Sequence, residues 1–292
     1  MTVIREPAVA GQFYPGNAGE LRNAIKVLLE DARVEPGPAP KALIVPHAGY
    51  IYSGPVAAAA YARLRACRER YTRVILLGPA HRVAVRGLAL SAADVFRTPL
   101  GDVPLDKEAI AALDLPEVTV FDATHQLEHS LEVHLPFLQS VIESFSVVPL
   151  IVGDAAPGTV ADVIDALWGG PETLIVVSSD LSHYLTYEEA RTMDDATCQA
   201  IENLEADRID HHGACGATPI GGLLVAARRH GMQVTTLDLR NSGDTAGDRS
   251  RVVGYGSWLF LESIETRPIP GESHDSVYTS GTERCSGRQD HD

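Results

Sequence analysis

Histidine and aspartate side chains stand directly after three short apolar runs of this sequence. The stretch "ALIVPH" ends at His47, and the stretch "RVILLGPAH" ends at His81. A third stretch, "TLIVVSSDLSH", ends in Asp180 and His183, which are three residues apart and can share one face of a turn. Imidazole and carboxylate groups bind metal ions and carry protons in proteins. One histidine after a strand is ordinarily a loop or capping residue, but three such positions together predict a shared site.

Cys215 adds a thiol to this group of residues. It stands in "ACGATPIGGLL", just before a helix whose start is marked by Thr218 and Pro219. Backbone amides and the helix dipole near a helix N-terminus stabilise a thiolate and lower the pKa of the thiol. Such a thiolate could bind a metal ion or act as a nucleophile. A small buried residue between glycines explains the same pattern, so the sequence leaves both readings open.

The densest histidine segment is "THQLEHSLEVHLPF", which contains His125, His129, Glu132 and His134. The i,i+4 spacing of His125 and His129 could clamp zinc on a helix. However, the segment lacks the glutamate of H-E-x-x-H and does not match H-x-x-E-H. His129 and Glu132, three residues apart, could instead position other groups of the site or form a proton-transfer pair.

Motifs of several other enzyme classes are missing from the sequence. There is no G-x-x-x-x-G-K-[ST] phosphate-binding loop, no G-x-G-x-x-G after an apolar run and no G-x-S-x-G nucleophile motif. A metal-independent cysteine–histidine hydrolase stays open, because Cys215 has several histidines as potential bases.

The apolar runs alternate with helix-like stretches, which predicts an α/β fold with a central mixed or largely parallel sheet flanked by helices. Continuous Val/Ile/Leu runs suit strands that are buried on both faces. The predicted strands are 42–45, 73–78, 145–153, 173–180, 234–241 and 253–262. The predicted helices are 20–32, 53–66, 106–113, 129–143, 159–168, 187–204 and 218–230. Ligands gather at the carboxyl ends of strands in such sheets, which is where the histidines stand.

The composition of the chain indicates which cellular environment and which classes of partner to expect. The 292 residues carry a formal net charge of −15 and no compact basic cluster, so binding to nucleic acid or to an anionic membrane surface is not expected. No apolar run approaches the length of about 20 residues that a membrane span needs, and the N-terminus lacks the pattern of a signal peptide. We therefore expect a cytoplasmic protein. Its four cysteines show no C-x-x-C pairing and are expected to be thiols.

The sequence predicts one domain followed by a tail. Residues 1–262 carry all of the predicted elements, whereas residues 263–292 are rich in Ser, Gly, Thr, Pro and charge and lack periodicity. We expect the second segment to be a disordered polar tail, in which Cys285, His274 and His291 are weak candidates for any role.

Six stretches of the sequence together resemble the Memo family, whose bacterial members are called AmmeMemoRadiSam system protein B. They are "REPAVAGQFYP", "VPHAGYIYSG", "LLGPAH", "EHSLEVHLPFL", "VSSDLSHY" and "CGATPIG". They occur in the family's order between Arg5 and about Glu262, which covers essentially the whole predicted domain. The resemblance implies an α/β fold similar to that of the class III extradiol dioxygenases, which are non-haem Fe(II) enzymes that open catechol rings.

The resemblance also implies a metal site and a set of partners. Metal ligands would be His47, His81 and Cys215, binding one Fe(II) or Cu ion per chain, with Asp180 and His183 beside them. Oxidation–reduction chemistry is proposed for the family. Eukaryotic members are associated with cell motility signalling and with phosphopeptide binding. The genes of bacterial members stand beside that of a radical-SAM enzyme.

The third ligand position departs from the dioxygenase pattern. Ring-opening dioxygenases use two histidines and one carboxylate, whereas here the third position resembles a cysteine. Thiolate is softer, favours Cu(I) or a strongly donating iron site, and is itself open to oxidation. Catechol cleavage therefore does not carry over. Asp180 is the candidate for the missing carboxylate.

Three hypotheses follow for the function. The first is a metal-dependent oxidoreductase of unknown substrate, with Asp180, His183 and His129 as catalytic or supporting groups. The second is a non-catalytic adaptor that uses a dioxygenase-like cleft for a peptide or a partner enzyme such as a radical-SAM protein. The third is the thiol hydrolase that uses Cys215.

Overall fold

A mixed sheet with four parallel strands at its centre organises the fold. The computed structural model describes residues 2–33 and 35–262, and the predicted tail lies outside these residues. Within them, nine strands form this sheet in the order β10-β12-β2-β9-β3-β8-β4-β7, with β11 paired to β12, and β1, β5 and β6 form a small second sheet. The strands are β1 (Ile4–Arg5), β2 (Ala42–Val45), β3 (Arg73–Pro79), β4 (Leu88–Leu90), β5 (Val95–Thr98), β6 (Gly101–Pro104), β7 (Val118–Val120), β8 (Ser146–Val152), β9 (Thr173–Ser178), β10 (His183–Leu185), β11 (Gln233–Asn241) and β12 (Val252–Leu261).

Helices cover both faces of the main sheet. They are α1 (Ala18–Asp31), α2 (Tyr50–Tyr61), α3 (Lys107–Ala112), α4 (Ala123–Gln126), α5 (Leu135–Val141), α6 (Pro157–Ala166), α7 (Tyr187–Glu202), α8 (Ala217–Arg229) and α9 (Ser242–Thr245). Short 3-10 turns occupy Ala62–Cys67, Glu132–His134 and Ala206–Arg208. Among the described residues, no helix combines the length and the apolar character that crossing a membrane requires.

The central strands are buried on both faces, as their uninterrupted apolar sequences predict. In β9, Leu174 and Val176 face the core beneath α1, α2 and α5, while Ile175 and Val177 face the core beneath α6 and α8. This alternation follows from the two-residue period of a strand. The predicted α/β class with a mixed, helix-flanked sheet is therefore confirmed.

One predicted helix begins later than the sequence analysis placed it. The segment 129–143 was expected to be helical throughout, but its helix, α5, starts at Leu135 after a 3-10 turn. Pro136 explains the difference, because its ring clashes with the carbonyl four residues earlier in a helix, so a position in the first turn, as in α5, suits it best. His129 therefore lies in an irregular segment rather than on a helix.

The sequence analysis did not predict the short strands between residues 88 and 120. The strands β4, β5, β6 and β7 have three or four residues each, and β5 pairs with β1 from the distant N-terminus. Such strands depend on long-range pairing more than on local pattern, which explains why the residue sequence carried little signal for them.

Parallel pairing brings the carboxyl ends of three central strands to one edge of the sheet. In the parallel pair β2–β9, Val45 lies opposite Ser178, and in the parallel pair β3–β9, Leu77 lies opposite Val177. The loops that carry His47, His81 and Asp180 consequently leave the sheet side by side.

A buried ion pair fastens the N-terminal segment beside this edge. Arg5 forms a salt bridge with Glu132 and donates further hydrogen bonds to the backbone carbonyls of His125 and Glu128. Glu132 also accepts hydrogen bonds from the backbone amides of Ala8 and Val9. The two side chains are 6% and 0% exposed, so their charges are satisfied by each other and by backbone groups rather than by water.

We expect Arg5→Ala to lower the free energy of unfolding by about 3–5 kcal/mol, because it leaves the Glu132 carboxylate buried without its cation. Chemical denaturation measures the change. Arg97→Ala is the control, since Arg97 pairs with Asp102 at the exposed surface. If both substitutions lowered the free energy of unfolding equally, the buried pair would stabilise the fold no more than the exposed pair does.

Buried His125 makes stability depend on pH. Burial lowers the pKa of His125 from its usual 6.5 to about 4. Between these values the unfolded chain binds a proton that the folded chain excludes, so stability is lost as the pH falls from 6.5 towards 4. Over that range, we expect the free energy of unfolding of the His125→Gln variant to fall by about 2–3 kcal/mol less than that of the unsubstituted protein. Denaturation at pH 7.5 and pH 4.5 tests this, with exposed His212→Gln as the control; equal losses would contradict it.

Candidate metal centre

Three histidines converge at the edge of the sheet where the central strands end. One ring nitrogen from each of His47, His81 and His129 lies within 4.8 Å of the others. The ring centroids are 5.1 Å apart for His47 and His81, 5.4 Å for His47 and His129, and 4.8 Å for His81 and His129. His47 follows β2, His81 follows β3, and His129 comes from the irregular segment before α5.

His47 is held from its backbone and from one ring nitrogen. Its backbone amide donates to Oδ1 of Asp180 over 2.8 Å, and its Nδ1 lies 2.6 Å from Oγ of Ser178. The residue is 2% exposed, and this burial, together with the neighbouring histidines, lowers the pKa of His47 well below 6.5. His47 is therefore a neutral imidazole whose Nε2 faces the other two histidines.

Glu128 orients His81. One carboxylate oxygen of Glu128 lies 2.9 Å from Nδ1 of His81, and the other accepts the backbone amide of His81 over 2.6 Å. The first oxygen also accepts the backbone amides of His129 and Ser130. Burial opposes ionisation of Glu128, but the hydrogen bonds from His81 and the amides outweigh it and lower its pKa to about 2. An ionised carboxylate on Nδ1 leaves Nε2 of His81 available as a ligand.

His129 carries a buried nitrogen without a partner. Its Nδ1 makes no hydrogen bond with any described residue, although Oε1 of Glu128 lies 3.3 Å away. Its ring stacks on that of His81, and the ring of Phe13 packs on it at 4.7 Å. Burial lowers the pKa of His129 to about 4, so the ring is neutral at physiological pH.

These three imidazoles fit a transition-metal ion. Burial keeps His47 and His129 neutral, as metal ligation requires, and His47 and His81 each have the non-ligating nitrogen fixed by an oxygen partner. Imidazole nitrogens suit iron, copper, zinc and nickel alike. The group could hold a metal ion, and its donor atoms alone do not select one of these metals.

The third member of this group differs from the predicted ligand set. The sequence analysis expected Cys215 beside His47 and His81, whereas the close group contains His129. Cys215 is nevertheless adjacent, because its Sγ lies 3.3 Å from Nε2 of His47. Its place before α8 predicted a lowered thiol pKa, but burial and the nearby Asp180 carboxylate instead raise the pKa of Cys215 to about 12. Gly216 permits this approach, since a Cβ there would lie 2.6 Å from the backbone oxygen of Ser178.

Asp180 and His183 lie beside the three histidines. Oδ2 of Asp180 is 3.9 Å from Nε2 of His47, while its Oδ1 accepts the amides of His47 and Ala48. Burial raises the pKa of Asp180 to about 6 against the effect of these hydrogen bonds. Nδ1 of His183 lies 2.8 Å from the carbonyl of Leu181 and donates to it.

A cleft of about 730 Å³ opens over these residues. The three histidines, Asp180 and His183 contribute to its walls. Tyr52, Tyr184, Arg82 and Arg251 stand around it, with Tyr184 in the left-handed region at φ 59°. A smaller cleft of about 350 Å³ on another side is lined by His81 and Cys215. The histidine group can thus be reached by a ligand.

Sequence reasoning missed the groups that orient the histidines. Glu128 was not singled out, although it directly precedes His129, and Ser178 was read only as part of a strand end. Both roles depend on contacts between segments 47 and 131 residues apart. Adjacency of a carboxylate to a histidine was the available signal for Glu128, and no local signal distinguished Ser178.

Fold and site together define an α/β protein with a histidine-lined cleft at the carboxyl ends of its parallel strands. A family model described as Memo-like protein matches residues 5–259. The chain belongs to the Memo-like family, as its sequence motifs indicated.

Two relatives of similar length, each more than 30% identical to this chain, support this assignment. A MEMO1 family protein of Aquifex aeolicus (strain VF5) is 37% identical over 270 residues, which cover 88% of this chain and 99% of the relative. A MEMO1 family protein of Methanosarcina mazei is 36% identical over 267 residues, covering 87% of this chain and 98% of the relative. The crystal structure of uncharacterized protein JW3007 from Escherichia coli K12 aligns with a TM-score of 0.48 and 13% identity, covering 76% of this chain and 100% of that chain.

We expect Glu128→Gln to weaken binding of a divalent metal by about 10- to 100-fold, because an amide is a poorer acceptor for Nδ1 of His81 than a carboxylate. Competition with a chromophoric chelator measures the affinity, and thermal unfolding checks the fold. Exposed Glu117→Gln serves as the control. Unchanged affinity in Glu128→Gln would show that this carboxylate does not orient a ligand.

Proposed function

We propose that this protein is a non-haem metal-binding protein that holds one iron or copper ion per chain and carries out oxidoreductase-like chemistry on a ligand in the large cleft. The observation that carries the proposal is the convergence of one ring nitrogen from each of three histidines to within 4.8 Å of one another at the wall of that cleft. His47 and His81 are the proposed ligands from the strand ends, completed by His129 or by Cys215.

The chemistry of the donor set supports this proposal. A bound iron or copper ion would supply Lewis acidity and one-electron chemistry at the floor of the cleft. Three imidazoles, or two imidazoles with one thiolate, suit both metals. Membership of the Memo-like family agrees with such a site without identifying its metal or its substrate.

The proposed catalytic groups are Asp180, His183 and His129. Nδ1 of His183 is engaged by the carbonyl of Leu181, so Nε2 is the nitrogen that we propose exchanges a proton with a hydroxyl group bound in the cleft. Asp180 holds the backbone of His47 in place through Oδ1 and presents Oδ2 beside the candidate ligands. If Cys215 completes the ligand set, His129 acts as the supporting base.

The expected setting of this activity is the cytoplasm, with a small molecule or a peptide in the cleft. A radical-SAM enzyme is a further candidate partner. Support for these partners comes from the family resemblance, while the net charge of −15 argues against nucleic acid as a partner.

Metal analysis of anaerobically purified protein tests the proposal. We expect about one iron or copper ion per chain, and a loss of metal by at least tenfold in His47→Ala and in His81→Ala, because each removes an imidazole ligand. Exposed His212→Ala is the matched control and should keep the metal. Stoichiometric metal in both ligand variants, or no metal in the unsubstituted protein supplied with either ion, would overturn the assignment.

Co(II) substitution decides between His129 and Cys215 as the third ligand. A thiolate ligand gives an intense sulfur-to-metal charge-transfer band in the near ultraviolet, whereas three imidazoles do not. If Cys215 is a ligand, the band disappears in Cys215→Ser and persists in His129→Gln. If His129 is the ligand, the band is absent and His129→Gln loses most of the Co(II).

The cleft rim favours a second candidate function, that of an adaptor. Tyr52 and Tyr184 remain 41% and 64% exposed, and Arg251 lies 5.3 Å above the ring of Tyr184. Exposed aromatic and arginine side chains are typical of surfaces that bind partners. A candidate peptide or partner enzyme that binds equally well to metal-stripped protein and to His47→Ala would favour this function over the oxidoreductase.

A further inference from the structure

Ser178, the last residue of β9, has a hydroxyl group surrounded by three polar partners. Its Oγ lies 2.6 Å from the carbonyl oxygen of Ser130, 2.6 Å from Nδ1 of His47 and 2.8 Å from Nε2 of His134. A serine hydroxyl has one proton to donate and two lone pairs with which to accept. Because a carbonyl oxygen can only accept, the proton of Ser178 points at Ser130.

Both imidazoles must then donate to Ser178. A neutral imidazole carries one proton, on either Nδ1 or Nε2. His47 therefore carries its proton on Nδ1, and its Nε2 keeps a lone pair directed at the other candidate ligands. His134 carries its proton on Nε2, and burial, which lowers the pKa of His134 to about 3, keeps this ring neutral.

Tyr61 completes the chain of hydrogen bonds behind His134. Its hydroxyl lies 2.9 Å from Nδ1 of His134 and donates to it, since that nitrogen has no proton. Tyr61 and Ser178 are 0% exposed and His134 is 1% exposed, so water does not offer alternative partners. In the reversed direction Ser178 would donate to Nε2 of His134, and the carbonyl oxygen of Ser130 would face a lone pair of Ser178. Such a buried contact of acceptor with acceptor costs free energy.

The other side of His47 agrees with this direction. Sγ of Cys215 lies 3.3 Å from Nε2 of His47, close enough to donate its proton to a lone pair there, and 3.6 Å from the carbonyl oxygen of Asp180, its other acceptor. No ligand or substrate contact is needed to reach this arrangement, because every partner belongs to the chain itself.

We propose that Ser178 is a positioning residue that fixes His47 in the Nδ1–H tautomer, with His134 and Tyr61 setting the direction of its hydrogen bonds from behind. The value of this role for metal binding rests on the proposed function, in which His47 is a ligand. The tautomer itself is a property of the metal-free protein and can be measured there.

Long-range ¹H–¹⁵N spectra of the metal-free full chain, labelled at histidine nitrogens, test the tautomers directly. We expect protonated Nδ1 in His47 and protonated Nε2 in His134, with signals assigned by single His→Gln substitutions. In Ser178→Ala, the population of the Nε2–H form of His47 should rise. An Nε2–H form of His47 in the unsubstituted protein would overturn the proposal, as would a tautomer that Ser178→Ala leaves unchanged.

Co(II) binding gives a second readout. We expect Ser178→Ala to bind Co(II) about 10- to 100-fold more weakly, as is usual when the partner of a ligating histidine is removed. The matched control is Ser257→Ala, which removes another fully buried strand serine, one whose Oγ has no hydrogen-bond partner among the described residues. Tyr61→Phe should act in the same direction as Ser178→Ala but by less, which keeps the proposal testable if Ser178→Ala folds poorly.

The two readouts separate this inference from the proposed function. If the unsubstituted protein shows the expected tautomers but binds no Co(II), iron or copper, metal binding is wrong and the role of Ser178 in orienting His47 stands. If Co(II) binds equally to the unsubstituted protein, Ser178→Ala and Ser257→Ala, the role of Ser178 is wrong and metal binding stands.

Discussion

The hydrogen bonds of Glu128 hold together the region on which the candidate site depends. This one carboxylate accepts hydrogen bonds from the ring and the backbone amide of His81. It also accepts hydrogen bonds from the backbone amides of His129 and Ser130. It therefore joins the end of β3 to the irregular segment before α5. Together with the hydrogen bond from Oγ of Ser130 to the carbonyl of Pro79, this link fixes the distance between two of the three histidines, His81 and His129.

Buried polar contacts stabilise this edge of the sheet from two further sides. Arg5 and Glu132 anchor the N-terminal segment against the histidine-bearing segment, and Ser178 ties His47 to His134. Burying a polar group destabilises the folded state unless each donor and acceptor is paired. Such networks therefore favour one arrangement of side chains over others. The two apolar cores bury the sheet, while these polar contacts determine where the imidazoles point.

The environment that fixes the histidines also gives the site its chemical character. Burial keeps His47 and His129 neutral, as ligands must be, and it raises the pKa of Cys215 to about 12. The same desolvation thus prepares imidazoles for a metal ion while disfavouring a free thiolate nucleophile, which weakens the thiol-hydrolase hypothesis. A positive ion beside Cys215 would favour its ionised form, so metal binding and thiolate formation would be linked.

The sequence by itself determined the central strands, most of the helices, the family and the positions of His47, His81 and Asp180. Local patterns predict those features: apolar runs and periodicity indicate the strands and helices, and ligands gather where parallel strands end. Only the tertiary structure decided that His129 joins the other two histidines, that Pro136 delays α5, and that Glu128 and Ser178 orient the rings. The physical reason is that hydrogen bonds between distant segments depend on how the chain folds back on itself, and no local pattern of residues specifies that distance.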